Sequence, residues 1–356
     1  VLACIPCLSV FLTNINPSSM SPHTAFAQLS DGRIMCGKAP FSASSAPPDG
    51  ISCFYWNDFT LSDPEPWKVP QGGIEIFADS QALARSENAG AKTELVGWEP
   101  LPEKEFAEIF GLCQARIGTG DFQKVVPVAV GKGRLRNPVG SCLPLPEISG
   151  RRHRLYGLIG EDAGQVGATP EILFSQNKGR LDTMALAGTA SGGSAEKLLA
   201  DAKQIHEHEV VVSALLGRLK ELGNVVSGER EAVDLETLCH LRTRIHVELD
   251  GVVPVADLVT LLHPTPAVGA APWDVKSATF LGDIRGRAAV PASFGAPFGF
   301  CHDGVCDMLV AIRCVYWDQN LVRIPAGCGV VPESQLGREW EEVQLKIEAV
   351  RHFFSL

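Results

Sequence analysis

Lys124 stands at the head of the segment DFQKVVPVAV, on the strand face that Val126, Val128 and Val130 continue at period two. An ammonium on an apolar strand face is unusual; it is either a strand-end lysine reaching water or a buried base. Glu171 follows Pro170 and leads into the apolar ILF, so its carboxylate lies at an exposed edge or is in use. Arg313 interrupts the buried-looking run MLVAIRCVYW, and a buried guanidinium needs a partner, which a ligand carboxylate can supply. In the last helix Glu339, Glu342 and Lys346 recur at spacings of three and four, with Glu342 placed to pair Lys346. Just upstream, IPAGCGVV supplies Gly327 and Gly329, where backbone can approach a ligand closely. A glycine turn feeding a carboxylate ridge suits an anionic ligand held through a hard metal ion; it equally suits a solvated surface helix. The run HEHE, His206 to Glu209, invites a two-histidine metal reading. Helical positions i and i+2 point about 200° apart, so they cannot share one ion. A single residue such as Glu207 could still be a ligand with a partner elsewhere.

The elements that must position these groups follow from hydrophobic period and breakers. Val343, Ile347, Val350 and Phe354 form one stripe of a terminal helix over Glu333–Leu356. Phe106, Ile109, Phe110, Cys113 and Ile117 predict a helix over Pro102–Ile117, ended by Gly118 and Gly120. A single long helix is expected from Ala195 to Leu222, and RLYGLIG with QVGATPEILF reads as a hairpin about Glu161–Gly164. Residues 1–100 read as short strands (Thr24–Leu29, Arg33–Cys36, Ile51–Trp56, Ile74–Phe77) between Pro-, Ser- and Gly-rich loops, with no recognisable chemistry.

The totals exclude some classes. Of 356 residues, 45% are apolar and 20% charged, which supports a sizeable core. A net charge of −10 argues against a nucleic-acid binder but leaves room for a locally positive anion site. Eleven scattered cysteines predict reduced thiols and a cytoplasmic location, and the single CxxC, Cys4–Cys7, lacks a second pair at metal spacing. The N-terminal run VLACIPCLSVFLT is too short to span a bilayer; it reads as a strand, with a secretory signal as the alternative, since its length suits a signal h-region although it lacks a basic n-region, and no membrane association is expected.

Taken in order, KVV (124–126), ATPE (168–171), LAGT (186–189), EH (207–208), HPTPAVGA (263–270), AIR (311–313), AGCGV (326–330) and EWEEVQLK (339–346) resemble the chorismate-utilising enzymes. That family includes isochorismate synthase, salicylate synthase and anthranilate synthase component I. The resemblance runs from about residue 100 to the end, making 101–356 the chorismate-binding region and 1–100 a divergent β-rich part of the same domain. It implies an α+β fold: two large, mostly antiparallel sheets packed face to face, helices outside, in a single domain. It implies Mg²⁺ held by Glu207 and Glu342, with Glu339 holding a water of its shell. Gly188 and Thr189 would help grip the ring carboxylate of chorismate through backbone N–H groups, and Arg313, Gly327 and Gly329 the enolpyruvyl carboxylate. Relatives that use ammonia typically have Gln at the Lys124 position; lysine marks those that use water. Lys124 would then be the base for attack at C2 and Glu171 the acid for the departing C4 hydroxyl. Ala187 rules out the nucleophilic lysine found at that position in aminodeoxychorismate enzymes. The expected reaction is chorismate to isochorismate, for siderophore or menaquinone synthesis and without a glutaminase subunit. Salicylate synthase is the alternative; the short chain and LAGT favour the former. Some residues depart from the family: Arg244 replaces a histidine (His246 lies two places on), Phe294 a tyrosine, Pro291–Ala292 an Arg-Gly pair, and Ala270 a glycine. These point towards a degenerate chorismate binder, while the intact Lys124 and Glu171 point away from one.

Overall fold

The computed structural model describes residues 22–86, 94–136, 145–146, 152–191, 195–235 and 238–356. The N-terminal run and Cys4–Cys7 fall outside them. Two sheets of nine and ten strands form the body. The first runs Ile74–Phe77, Ile34–Lys38, Thr24–Gln28, Arg154–Ile159, Ala163–Thr169, Cys314–Asp318, Leu321–Gly327, Val128–Leu135, Leu95–Trp98. The second runs Gly223–Ser227, Leu238–Leu249, Arg180–Ser191, Ile172–Asn177, Val305–Val310, Pro297–His302, Cys53–Trp56, Trp67–Pro70, Phe41–Ser44, with Glu231–Asp234 also beside Leu238–Leu249. Neighbouring strands are antiparallel throughout, as in Arg154–Ile159 against Ala163–Thr169 and Arg180–Ser191 against Leu238–Leu249. The described helices are α1 (Ser80–Ser86), α2 (Glu103–Gly118), α3 (Ala195–Ala200), α4 (Ala202–Leu219), α5 (Val255–Leu262), α6 (Val275–Arg287) and α7 (Leu336–Phe353). None is long and apolar enough to cross a membrane.

Period-two alternation builds three cores from two sheets. In Arg154–Ile159, Tyr156 and Leu158 join Phe54, Trp56, Phe298, Phe300 and Leu309 in the layer between the sheets. Leu155 and Ile159 face the other way, into a core closed by α2, α6 and α7 through Phe106, Leu281 and Val343. The second sheet sends Leu173, Ala185 and Ile245 outwards against Val211 and Leu215 of α4 and Leu258 of α5. Each such buried aliphatic or aromatic side chain contributes about 1.5–3 kcal/mol. The order is therefore helix, sheet, sheet, helix. Strands from the first hundred residues enter both sheets, since Thr24–Gln28 pairs Arg154–Ile159 and Cys53–Trp56 pairs Pro297–His302.

Several elements differ from the sequence expectation. The long helix is two helices: Asp201 ends α3 and caps α4, accepting from Gln204 N at 3.1 Å. The Lys124 strand breaks at Pro127, which has no N–H for a ladder. Lys124–Val125 pairs Ala270–Ala271 in a separate two-stranded ladder, and Val128–Leu135 joins the first sheet. QVGATPEILF and MLVAIRCVYW are each divided between the two sheets, at Pro170–Glu171 and at Ala311–Arg313. The expectation of reduced thiols fails at Cys301 and Cys306, which form a disulfide. These cysteines face each other across a hairpin whose turn residues, Asp303 and Gly304, both have positive φ. Cys53, Cys113, Cys239, Cys314 and Cys328 are free and buried.

Candidate active site

Two of the places where the chain changes sheets, after Ala163–Thr169 and after Val305–Val310, lie side by side. Glu171 O accepts from Val310 N at 3.1 Å, and Arg313 O accepts from Ala168 N at 3.1 Å. Arg313 sits at φ +54°, an uncommon conformation for a non-glycine residue that turns the chain out of its strand. Beside these crossovers opens a cleft. Glu171, Gly188, Thr189, Glu207, Arg313, Gly327 and Gly329 all line it. Lys124 lies immediately behind Glu207, and Glu339 and Glu342 reach the same cluster from α7.

Glu171 is 3% exposed and has one side-chain partner, Thr265, whose Oγ1 donates to Oε1 at 3.2 Å. Burial pushes its pKa up to about 7, against the pull of the Thr265 bond and the more distant Lys124 and Lys346. It can therefore hold a proton near neutrality. Lys124 is 1% exposed, and its Nζ donates to Pro266 O at 2.8 Å and lies 3.3 Å from Glu207 Oε1. Burial lowers the Lys124 pKa, and Glu207 opposes that shift without cancelling it. Gly329 permits the contact: a Cβ there would collide with Glu207 Oε1 and Lys124 Cε.

Glu207, Glu339 and Glu342 come from α4 and α7, which meet across the cluster. Lys203 bridges Glu207 and Glu339, at 2.9 Å from each. Lys346 donates to Glu342 Oε1 at 2.6 Å, as the i,i+4 spacing implies, and also to Gly327 O at 2.7 Å. Burial opposes the charge on Lys203, but Glu207, Glu339 and Glu342 outweigh it and raise its pKa. Burial would also raise the pKa of Glu207, yet Lys124 and Lys203 together hold it well below the usual carboxylate value. Burial raises the Glu339 pKa, and its Oε2 is buried without a hydrogen-bond donor. Among the described residues no three acidic, histidine or cysteine side chains stand as a metal cage, and lysines pair each of these carboxylates. The donors themselves are all hard oxygens, and the orphaned Glu339 Oε2 has lone pairs to offer, so their chemistry fits Mg²⁺.

The anion-facing side centres on Arg313 and on a residue the sequence reading missed, His240. Arg313 Nη2 donates to His240 Nε2 at 2.9 Å, so Nε2 carries no proton. The Nδ1–H then faces Gly188 O and Thr189 Oγ1, each at 3.2 Å. Burial, aided by Arg313 and Lys346, drives the His240 pKa well down, in keeping with a neutral ring. Burial also lowers the Arg313 pKa, to about 10, with Glu342 pulling the other way. Gly188 has φ +79°, and a Cβ there would press on Gln204 O at 2.8 Å. The Thr189 N–H is already engaged, by Gln204 Oε1 at 2.8 Å, and the Thr189 hydroxyl donates to Glu342 Oε1 at 3.0 Å. Thr189 is thus tied to the carboxylate cluster, and its amide is not a free grip for a ligand.

A histidine does reach the cleft, His240, four residues before Arg244. Arg244 and His246 lie on the outer part of the second sheet, paired with Glu231 and Asp182. His240 and Arg244 belong to the same strand, Leu238–Leu249, and only the former reaches the cleft. Within the HEHE run, His208 is buried and bonds Ala187 O and Thr243 Oγ1, a packing role, while His206 pairs with Glu333. Phe294 does line the cleft.

Comparison with known proteins accords with this geometry. The isochorismate synthase EntC of Escherichia coli K12 is 28% identical over 305 residues, 78% of this chain and 74% of that protein. The salicylate biosynthesis isochorismate synthase of Pseudomonas aeruginosa is 36% identical over 203 residues, 53% of this chain and 42% of that one. The fold matches MenF, the menaquinone-specific isochorismate synthase of Escherichia coli, at TM-score 0.75 and 20% identity, covering 98% of this chain and 92% of that chain. An anthranilate synthase component I from Streptococcus pneumoniae matches at 0.59 and 15% identity, covering 98% and 95%. The chorismate binding enzyme family matches residues 74–355, and this chain, with its acid, lysine and arginine gathered on one cleft, belongs to it.

Proposed function

We propose that the protein is an isomerase that converts chorismate to isochorismate. The observation that carries this reading is one turn that holds an acid and a base together. Thr265 bonds the Glu171 carboxyl and Pro266 O bonds the Lys124 ammonium, two groups whose pKa values burial displaces in opposite directions. Lys124, once its ammonium has given up a proton, takes one from the water that attacks C2. The ring double bonds shift, the C4–O bond breaks, and protonated Glu171 gives its proton to the departing hydroxyl, which leaves as water. One water enters and one leaves, so substrate and product are isomers. Arg313, held by His240, pairs with the enolpyruvyl carboxylate, and Gly327 and Gly329 let it approach the backbone. Glu207 and Glu342 would hold Mg²⁺, with Glu339 beside them; the ion supplies positive charge for the ring carboxylate. The carboxylate oxygens it would take are held here by Lys203 and Lys346.

The names of the relatives support water over ammonia as nucleophile, as does lysine at position 124. The reading is of a cytoplasmic enzyme without a glutaminase subunit, feeding siderophore or menaquinone synthesis. The test is incubation with chorismate and Mg²⁺, with and without ammonium, followed by product separation. Isochorismate alone, unchanged by ammonium, is expected. Salicylate with pyruvate, or an aminated product, would overturn the assignment.

A further inference from the structure

The turn that grips both Lys124 and Glu171 is itself held from behind, by a residue in the N-terminal region where the sequence shows no chemistry. Phe59 N donates to Ala292 O at 2.8 Å, and Phe59 O accepts from His263 Nε2 at 2.9 Å. The Phe59 ring meets the His263 imidazole edge-on at 5.1 Å, and the Arg285 guanidinium stacks over its other side at 3.9 Å. Arg285 also donates to Phe294 O at 2.8 Å, and Phe294 lines the cleft. Phe59 therefore touches the two segments, 263–268 and 291–295, that close one side of the site. It is 7% exposed and makes no contact with the cleft itself.

We propose that Phe59 is a positioning residue: by latching His263 and Arg285 it fixes the 263–268 turn, and so sets the separation and aim of the Lys124 amine and the Glu171 carboxyl. Other contacts hold the two ends of the turn: Val126 N donates to Gly269 O at 3.0 Å, beside the ladder of Lys124–Val125 with Ala270–Ala271. Arg218 Nη1 bonds Leu262 O and Pro264 O at 2.9 Å each, and Val268 N and Gly269 N bond back to Thr265 O within the turn. Those contacts fix where the turn starts and how it curls. The Phe59 latch fixes how the turn leans against the crossover that carries Glu171. Displacement of a reacting group by about 1 Å can cost on the order of 100-fold in rate while leaving distant binding contacts untouched.

The proposal rests on the isochorismate synthase reading, and two measurements separate the two. Phe59→Leu keeps an apolar side chain of similar bulk but removes the ring contacts, and His263→Phe keeps a ring but removes the donor. Phe26→Leu, in the core under α2 and α7, controls for generic loss of packing. At equal folded fraction, kcat of Phe59→Leu and His263→Phe should fall roughly 10- to 100-fold with KM for chorismate within about twofold of wild type, and the double variant should lose less than the product of the two. Amide exchange at Val268 and Gly269 should quicken in both variants and not in Phe26→Leu, whether or not chorismate is the substrate. Unchanged kcat together with unchanged exchange would overturn the latch, as would a loss confined to KM. A wild type inactive on chorismate with faster exchange in both variants would overturn the function and retain the latch.

Discussion

Glu171 and Glu207 are the same residue type, buried to nearly the same degree at 3% and 4% exposed, and both line one cleft. Burial raises the pKa of both, yet Glu171 ends near 7 and Glu207 well below an ordinary carboxylate. What separates them is company. Glu171 has a hydroxyl, while Glu207 has two ammonium groups within 3.3 Å. Burial sets the cost of the charge, and the nearest partner decides which protonation state bears it. The protein thus keeps a proton donor and a charged, cation-ready carboxylate in one cavity without different residue types.

The comparison can be broken from either side, most strongly at the groups that react. Lys124→Ala should cost about 10³- to 10⁴-fold in kcat, and Glu171→Gln about 10²- to 10³-fold, with chorismate binding by calorimetry nearly intact in both. Wild-type turnover in Lys124→Ala would remove it from the role of base. A smaller loss is expected from Gly329→Ala, whose new methyl drives into Glu207 and Lys124 and leaves Glu171 alone. It should lower kcat at least tenfold and stability by about 1–3 kcal/mol in denaturant titration, without moving the pH at which activity fails on the alkaline side. The mildest change is Thr265→Val. Glu171 acts in its protonated form, so kcat/KM should fall as pH rises through about 7. The Thr265 hydroxyl stabilises the ionised carboxylate, so its removal raises the pKa and moves the alkaline limb to higher pH by less than about one unit. A limb that moves to lower pH would show that another group sets it.

Helices α2 and α7 were legible because their stripes are strictly periodic, and their observed ends fall within about three residues of expectation. The single-helix expectation for 195–222 failed because Asp201 is a good cap as well as a tolerable helix residue, and only packing decides between these. The sheet changes at Glu171 and Arg313 were hidden for a related reason. An apolar run reads alike whether it continues in one sheet or passes to another. The disulfide could have been read: Asp303–Gly304 between Cys301 and Cys306 is a two-residue hairpin signal that places the cysteines opposite each other. Among the site residues, Lys124, Glu171 and Arg313 stood out because each interrupts an apolar run, and Glu207 only through the HEHE run and the order of motifs. His240 did not, since histidine sits unremarkably in a half-apolar strand, and Lys203 carries no local signal either. The cluster's neutralisation is a property of three dimensions that no local window contains.

The paired crossovers have a mechanical consequence. Between Ala163–Thr169 and Ile172–Asn177 the chain passes from the first sheet to the second, and between Val305–Val310 and Cys314–Asp318 it passes back, the two passages lashed together by backbone bonds. Two cords crossing in opposite directions between a pair of plates resist sliding of the plates in either sense. Shear of one sheet over the other would load Glu171 and Arg313 together with the crossovers from Lys38 to Phe41 and from Pro70 to Ile74, so a ligand spanning the gap at Glu171 and Arg313 would stiffen that part of the body.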